Sequence, residues 1–524
     1  MKLRRLIAGT AAAAVLAATG SVVATTAAAG QPGPPVRISD RQTLETYAAD
    51  TWRSFTAMVY GETGLPDDNI EGDLDPDSRG GYTSPTNIGA YLWSTVVARD
   101  LRLISRTEAY ERMALTLGTI SELERHDDSG MFYNWYDPLT LEVLRVWPED
   151  GNTVYPFLSS VDNGWMAAAL MVVRNAEPRL RAEAEAALAP MDFGFYYDPA
   201  AKADVGLIRG GFWDEPPPGC SITDNYRDRG PDVYYTCHHY GAFNSEPRIA
   251  SYIGIALGQI PPEHYFGPWR TFPADNCDWS WSEQGGIGEW REYLGVDVWE
   301  GAYAYRGFHV VPTWGGSMFE ALMPDLFVPE AQWGARSWGV NHPLFVQGQI
   351  EHGMDEAGYG YWGFSPSSDP AGGYREYGVD LMGMDEPGYT SDQERTSVDL
   401  GFYTVDGTQC RPPDPLPDEY GDGVVTPHAV FLALPYAPRE ALDNLANLRA
   451  TFDVYGPGGF YDAVAVGSGQ VAERYLSLDQ GMIMAALGNM LTNDALKRYF
   501  VRGEVSHVLR AIMAMEEFVA GPLD

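Results

Sequence analysis

Basic residues are scarce in this chain of 524 residues: Lys and Arg number 35 against 72 Asp and Glu, a formal net charge of −37. Such a surplus of negative charge repels a phosphate backbone, which argues against nucleic-acid binding. The same repulsion counts against an anionic membrane surface or an acidic polymer as the partner. The charge balance therefore favours a neutral partner.

Long hydrophobic runs are missing beyond the N-terminus, since no later stretch reaches the roughly 18 apolar residues of a membrane-spanning helix. The N-terminus combines basic residues within 2–5, an apolar run over 6–20 and three alanines at 27–29. This pattern is typical of a secretory signal peptide with an A-x-A-like cleavage site, although a retained anchor is the alternative. We predict a signal peptide over 1–29, a flexible segment over 30–40 and a secreted mature protein without membrane contact.

Cysteine is rare, with four in the chain, and their spacing does not resemble a zinc site. Sequence alone permits three disulfide pairings. Cys220 and Cys237 bracket a loop rich in Pro and Asp, so a bridge between them is favoured, with Cys277–Cys410 as the second.

Several catalytic motifs are absent as well. The chain contains no H-E-x-x-H and no G-x-S-x-G, so neither a zinc protease nor an esterase is supported. The acidic stretch at 73–77 begins like a calcium loop, but Ser78 stands at the glycine position and Ser84 at the position of the closing Glu. We therefore expect no metal and no cofactor.

Segments with helical apolar spacing alternate with long stretches rich in Gly, Pro, Asp and aromatic residues. This alternation predicts a mostly α fold, a toroid of paired helices in one domain over 41–524, whose long loops form a cleft at one rim. We expect a monomer. The predicted helices are 41–60, 86–104, 107–123, 160–175, 179–190, 244–257, 317–325, 330–352, 427–434, 438–451, 478–489 and 493–518, the last broken near Gly503.

Aromatic residues are abundant, at 13% of the chain with 15 Trp and 31 Tyr. Aromatic faces stack on sugar rings, and carboxylates bind sugar hydroxyls. Together with the charge, this composition predicts a neutral polysaccharide or oligosaccharide as the substrate.

Four carboxylates stand at predicted helix starts: Asp162, Glu246, Glu320 and Asp479. One such residue alone is more often only a favourable first-turn charge. For Glu246 we expect Asn244 as the N-cap. If the helices of the toroid present their N-termini at one rim, these carboxylates converge, and hydrolysis of a glycosidic bond needs two of them.

The motifs along the chain resemble those of the bacterial glucoamylase-like family that includes the endo-β-1,2-glucanases of glycoside hydrolase family 144. The transglycosylase domain of cyclic β-1,2-glucan synthases is similar. The resemblance implies an (α/α)6 barrel, cleavage of a β-glucan, and Asp162 and Glu246 as the catalytic pair. The matching stretches are T-G-L-P-D at 63–67, T-S-P-T-N-I-G at 83–89, G-M-F-Y-N-W-Y-D at 130–137, V-D-N-G at 161–164, N-S-E-P-R-I-A-S at 244–251, G-G-S-M-F-E-A-L-M-P at 315–324, G-G-F-Y-D at 458–462 and D-Q-G-M at 479–482.

The chain departs from the family pattern at Pro366, where relatives carry an acidic residue, and at Pro247. These departures bear on the linkage that is cleaved. Another neutral glycan, a transglycosylase or a catalytically inactive glycan-binding protein are the alternatives. Besides the catalytic pair, we predict these substrate-binding residues: Arg248, Asn134, Trp135, Tyr133, Asn163, Trp165, Trp314, Phe319, Glu320, Tyr461, Asp479 and Gln480.

The predicted mechanism uses Glu246 as the general acid, with a pKa raised by its apolar surroundings, and Asp162 as the base. Arg248 would lower the pKa of Glu246 on contact, so we expect it to pair with Asp162 or with a sugar hydroxyl. Inversion is favoured over retention.

Overall fold

The computed structural model describes residues 38–202, 205–228, 230–273, 284–384, 404–405, 408–409 and 420–523. The predicted signal peptide and the Cys277–Cys410 pairing lie outside these residues. The first helix begins at Ile38, so the end of the segment predicted to be flexible is helical.

Helices occur where the apolar spacing predicts them, within a few residues at each end. The predicted break near Gly503 is confirmed, and the predicted helix over 330–352 is interrupted between Trp333 and Trp338, where Gly334 stands. The helices are α1 (Ile38–Met58), α2 (Pro85–Asp100), α3 (Arg106–Ile120), α4 (Ser160–Ala176), α5 (Arg181–Leu188), α6 (Arg248–Ala256), α7 (Met318–Leu322), α8 (Glu330–Trp333), α9 (Trp338–Glu351), α10 (Pro427–Leu432), α11 (Pro438–Thr451), α12 (Ser477–Thr492), α13 (Ala495–Phe500) and α14 (Glu504–Met513).

Serine side chains start three of the helices that carry motif residues. Ser84 accepts a hydrogen bond from the backbone of α2, Ser159 from that of α4 and Ser317 from that of α7. A serine N-cap satisfies a backbone N–H that has no partner inside the helix. These caps fix the residue at which each helix begins, and so fix which side chains the first turn presents.

The helices form a chain of neighbours. Helix α2 packs against both α4 and α12, α4 packs against α6, and α10 packs against α7 and α12. Trp165 on α4 lies edge-to-face against Trp93 in the middle of α2, and both contact Phe327. This buried aromatic cluster packs α2 against α4.

Short strands fill much of what was predicted to be loop, and this is the main correction to the predicted architecture. They form several small sheets rather than one large sheet. One four-stranded sheet contains Phe157–Ser159, Gly211–Trp213, Val233–Thr236 and Ser221–Asp224, and another contains Gly521–Pro522, Phe308–Val310, Val296–Tyr305 and Ile287–Tyr293. One three-stranded sheet contains Tyr197–Asp198, Leu207–Arg209 and His239–Tyr240. The other three-stranded sheet contains Val424–Val425, Ala463–Ala465 and Gln470–Ala472. Two-stranded ladders pair Asn69–Glu71 with Arg474–Leu476, Thr313–Trp314 with Gly383–Met384, Ser367–Ser368 with Tyr374–Arg375, Thr404–Val405 with Thr408–Gln409, and Tyr455–Gly456 with Gly459–Phe460.

The longest hairpin shows why these segments are strands. Ile287–Tyr293 and Val296–Tyr305 are rich in aromatic and β-branched residues, which favour a pleated and half-buried surface. Leu294 and Gly295 join them with positive φ at both positions, as a tight two-residue turn requires. A turn without the usual Asn or Asp before the glycine gave little sequence signal.

The predicted Cys220–Cys237 disulfide is confirmed. It joins the residue before Ser221–Asp224 to the residue after Val233–Thr236, at the end of an antiparallel pair. Among the described residues, no helix combines the length and the apolar character needed to cross a membrane.

Replacing Cys220 and Cys237 together by Ser is expected to loosen this hairpin. Closing a loop of this length removes unfolded-chain entropy equivalent to about 3 kcal/mol. Limited proteolysis should therefore cut within residues 221–236 faster than in the unmodified protein. An unchanged cleavage rate would show that the sheet alone holds the hairpin.

Candidate active site

Helix N-termini that were predicted to converge are in contact in pairs. Thr86 at the start of α2 donates a hydrogen bond of 2.5 Å from Oγ1 to Asp162 Oδ1 at the start of α4. The backbone N–H of Glu246, just before α6, donates to Glu320 Oε2 on α7 at 2.6 Å. Residues far apart in the sequence therefore meet at one place.

Glu246 lies in a turn before α6, not in the first helical turn as predicted. The predicted N-cap is wrong, because Asn244 Nδ2 donates to the carbonyl of Val311 at 3.2 Å and Pro247 takes the cap position. The turn keeps the Glu246 side chain half-buried and facing a cleft.

Glu246 and Glu320 carry neighbouring carboxyl groups, whose charges repel each other when both are ionised. Trp165 Nε1 donates to Glu246 Oε1. Burial, followed by the nearby Glu320 carboxylate, raises the pKa of Glu246 well above its usual range. Burial likewise raises the pKa of Glu320 to about 8. The pair therefore holds a proton near neutral pH, which is the state that a general acid requires.

Asp162 is oriented by donors on both of its oxygens. Besides Thr86, the side-chain amide of Asn134 lies 2.8 Å from Asp162 Oδ2 and donates to it when its nitrogen faces the carboxylate. In the same orientation the amide oxygen of Asn134 accepts from Trp135 Nε1 at 3.1 Å. Burial is the main cause that raises the pKa of Asp162.

The cleft beside Glu246 encloses about 390 Å³, which is in the range of small-molecule sites. Its walls combine aromatic rings with carboxyl groups, the combination that binds uncharged sugars through stacking and hydrogen bonds. The side chains that line it include those of His238, His239, Tyr240, Trp314, Glu320 and Glu376.

A second carboxyl pair joins α12 to the Gly459–Phe460 hairpin. Asp479 lies 3.3 Å from His428 Nδ1, and the backbone N–H of Ser368 donates to Asp462 Oδ2 at 2.7 Å. Burial raises the pKa of Asp479 to about 6, and burial followed by the neighbouring Asp479 raises the pKa of Asp462 well above its usual range.

Ligand-type atoms lie within 4.8 Å of one another in two groups of described residues. In the group of Asp325, Glu330 and His342, Lys497 and Arg248 already balance the carboxylate charges. The other group is the pair of Asp462 and Asp479 with His428. In this group burial raises the pKa of both carboxyl groups and so favours their neutral forms.

The predicted substrate-binding residues divide into two sets. Asn134, Trp135, Trp314, Glu320 and Tyr461 are half-buried and keep exposed surface, whereas Asp479 is buried. The other five of the aromatic and amide predictions are buried, and their contact with sugar stays a prediction. These are Tyr133, Asn163, Trp165, Phe319 and Gln480.

Each of these buried residues already has partners. Trp165 is 0% exposed, and its indole packs on aromatic neighbours while its N–H binds Glu246. Asn163 holds the backbone of Phe132, and Gln480 Nε2 donates to the carbonyl of Phe460. The buried residues of these motifs therefore hold neighbouring backbone and side chains in place.

Arg248 also differs from its prediction. It contacts neither Asp162 nor an open cleft, but forms a buried ion pair with Glu330, 2.7 Å between Arg248 Nε and Glu330 Oε1. A guanidinium buried without a carboxylate would be costly, and Glu330 on α8 supplies one.

Three acidic residues of the site were missed in the sequence. Asp68 binds Asn87 on α2 and has a pKa raised by burial, and Glu376 lines the cleft. Asp462 completes the pair with Asp479. Asp68 and Asp462 lie beside or within recognisable motifs, so a signal existed for them, but Glu376 stands in a stretch without a motif.

Two protein-family models match parts of this chain. Residues 288–503 match the family model described as "putative glucoamylase". The C-terminal part of the chain is glucoamylase-like in sequence. Residues 46–194 match a second family model, described only as a protein of unknown function.

Relatives with a named activity are similar over most of this chain. The cyclic β-(1,2)-glucan synthase NdvB of Rhizobium meliloti is 25% identical over 87% of this chain, which spans only 18% of that protein. An endo-β-1,2-glucanase from Chitinophaga pinensis, solved with sophorotriose and glucose, superposes with a TM-score of 0.59 at 17% identity, covering 91% of this chain and 98% of that one. An endo-β-1,2-glucanase from Talaromyces funiculosus, solved with sophorose, gives a TM-score of 0.54 at 12% identity and covers 90% of both chains. The chain therefore shares the fold of these two glucanases.

Replacing Glu320 by Gln is expected to change how stability depends on pH. A carboxyl whose folded pKa is about 8 stabilises the fold at low pH, and this contribution is lost as the pH rises from about 4.5 to about 8. The difference in thermal midpoint, that of Glu320→Gln minus that of the unmodified protein, should therefore be more positive at pH 8 than at pH 5. The exposed Glu111→Gln serves as the control, and equal behaviour of the two variants would contradict the buried proton.

Proposed function

We propose that the protein is a secreted glycoside hydrolase that cleaves a neutral β-glucan, with β-1,2-glucan as the first candidate. The observation that carries the proposal is the cleft lined by Glu246 and Glu320, which a hydrogen bond from the Glu246 N–H joins, with Asp162 on the adjoining helix. A glycosidase needs one carboxyl group that is protonated and one that is ionised. The glucan-active relatives support the choice of substrate.

In the proposed mechanism, Glu246 protonates the glycosidic oxygen as the bond to the anomeric carbon breaks. Trp165 holds one oxygen of the carboxyl group, and burial together with Glu320 keeps the proton in place before the reaction. Transfer of that proton leaves Glu246 ionised, and the return of a proton from water restores the enzyme.

Asp162 acts as the base that takes a proton from the attacking water. Thr86 and Asn134 orient its carboxylate, and its pKa, raised by burial, brings its basicity closer to that required near neutral pH. We favour inversion of the anomeric centre, which proton NMR of the first product would test directly.

The aromatic residues with exposed surface are proposed to stack on sugar rings. Trp314 lines the cleft next to Glu246, and Trp135 adjoins Asp162 through Asn134. A net charge of −37 suits an uncharged substrate.

We further infer that residues 41–524 form one (α/α)6 domain that acts as a monomer, after removal of a signal peptide over 1–29. Helices α2, α4, α6, α7, α10 and α12 would form the inner ring. Their contacts support this, as do the hydrogen bonds that link the turn before α6 to α7. The disulfide is consistent with export.

A transglycosylase is the second candidate, because the relative NdvB is a glucan synthase. Product analysis on a panel of neutral glucans separates the possibilities. A hydrolase releases new reducing ends, a transglycosylase redistributes chain lengths without releasing them, and a binding protein does neither.

Replacing Glu246 by Gln should lower kcat by about 10²–10⁴-fold, the range typical for loss of a general acid. Binding of the glucan, measured by calorimetry, should stay near that of the unmodified protein, because the amide has almost the same shape. The exposed Glu111→Gln is the matched control and should keep full activity. Near-normal turnover by Glu246→Gln would exclude it as the acid.

Replacing Trp314 by Ala should weaken substrate binding more than turnover. Loss of one stacking ring removes about 0.5–1.5 kcal/mol beyond the contact area, so KM should rise several-fold. Trp290, exposed on the hairpin of Ile287–Tyr293, gives the control Trp290→Ala, whose KM should not change. Equal KM values for both variants would remove Trp314 from the sugar site.

A further inference from the structure

Arg248 uses every N–H donor of its guanidinium group. Nε donates to Glu330 Oε1 at 2.7 Å, and one terminal nitrogen donates to Glu330 Oε2 at 2.9 Å and to the carbonyl of Ala321 at 2.6 Å. The other terminal nitrogen donates to the carbonyls of Ser245 and Glu320, each at 2.8 Å. Five donors therefore meet five acceptors.

Glu330 is held as firmly as its partner. The carboxylate is 0% exposed and also accepts from Tyr252 at 2.7 Å, while His342 Nε2 lies 3.0 Å from it. Arg248 lowers the pKa of Glu330 to about 2, against the effect of burial. The pair therefore stays ionised at any pH near neutrality.

The acceptors of Arg248 lie on the two chain segments that carry the proposed acid and its partner. Ser245 directly precedes Glu246, and Glu320 and Ala321 belong to α7. A single planar side chain thus links the turn before α6 to α7, beside the bond from the Glu246 N–H to Glu320.

We propose that Arg248, fixed by Glu330, is the positioning residue that sets the relative placement of Glu246 and Glu320. This inference rests on the proposed function. Arg248 does not touch substrate, and it acts only by holding the backbone on both sides of the carboxyl pair. Lysine cannot replace it, because an ammonium has three donors and no planar fork.

The buried ion pair of Arg270 and Glu516 provides a matched control. Both side chains are 0% exposed, and the other Arg270 bonds go to the carbonyls of Pro268 and Tyr265. None of these bonds reaches the segments of Glu246 or Glu320. The Arg270 guanidinium also lies 3.6 Å from the centre of the Phe243 ring, but Arg270→Lys removes no hydrogen bond to the turn of Ser245 or to α7, so it reports the damage from a weakened buried ion pair alone.

The first experiment compares Arg248→Lys, Glu330→Gln and Arg270→Lys at a temperature where all remain folded. Misplacement of a catalytic group by about 1 Å can cost about 10²-fold in rate. We expect Arg248→Lys and Glu330→Gln to lower kcat by that order while KM changes less than about threefold. Arg270→Lys should lower the thermal midpoint but keep kcat. Similar kcat losses in all three variants, or none in Arg248→Lys, would overturn the proposal.

The second experiment uses pH to separate positioning from general damage. The groups that face the pair are Asp162, Glu376 and Tyr240, and Arg248 is its nearby cation. Arg248→Gln removes that cation, so the fall of kcat at high pH should move to higher pH, whereas Arg248→Lys keeps the charge and should leave it in place. A lack of any shift in Arg248→Gln would contradict the assignment.

Failure of the proposed function can be told apart from failure of the positioning role. If the unmodified protein cleaves no glucan, the pH dependence of its thermal midpoint still reports the Glu246–Glu320 pair without turnover. In Arg248→Gln, the pH range over which stability falls should then extend to higher pH than in the unmodified protein. If that range does not move while hydrolysis is observed, the positioning role alone is wrong.

Discussion

The rest of the site depends on the contact between Glu246 and Glu320. Two neighbouring carboxyl groups that are half-buried and poorly hydrated cannot both ionise near neutral pH without an electrostatic cost. Burial raises the pKa of both groups, Trp165 donates one hydrogen bond to Glu246, and Arg248 binds backbone carbonyls of both segments rather than the carboxyl groups themselves. A cation between them would lower both pKa values and remove the acid.

Packing in the core supports this arrangement. Trp165, Trp93 and Phe327 pack as a buried aromatic cluster, and the Trp165 N–H binds Glu246. The Arg248–Glu330 pair adds a polar cross-link between α6, α7 and α8. Buried ion pairs are weak sources of stability, since their desolvation offsets much of their attraction. Their retention here fits a need for geometry rather than for net stability.

The acidic surface and the acidic cleft serve different purposes. Of the 72 acidic residues, Asp462 and Asp479 are buried and Glu246 and Glu320 are half-buried, and all four have raised pKa values. Protonated carboxyl groups can donate as well as accept hydrogen bonds, which suits the hydroxyl groups of a neutral sugar. The cleft is therefore less negative than the composition implies.

The sequence by itself determined the helices, because apolar residues at helical spacing and the serine caps at Ser84, Ser159 and Ser317 are local signals. It also determined the Cys220–Cys237 bridge, through the short span between the cysteines, and which carboxylates stand at helix starts. Only the tertiary structure decided which motif side chains face the cleft. Trp165 and Trp314 look alike in the sequence, yet one is buried in the core and the other lines the cleft, because the direction of a side chain depends on the packing of helices that are distant in the chain. For the same reason the partner of Arg248 and the position of Glu376 on the cleft depend on contacts between distant segments, which no local pattern encodes.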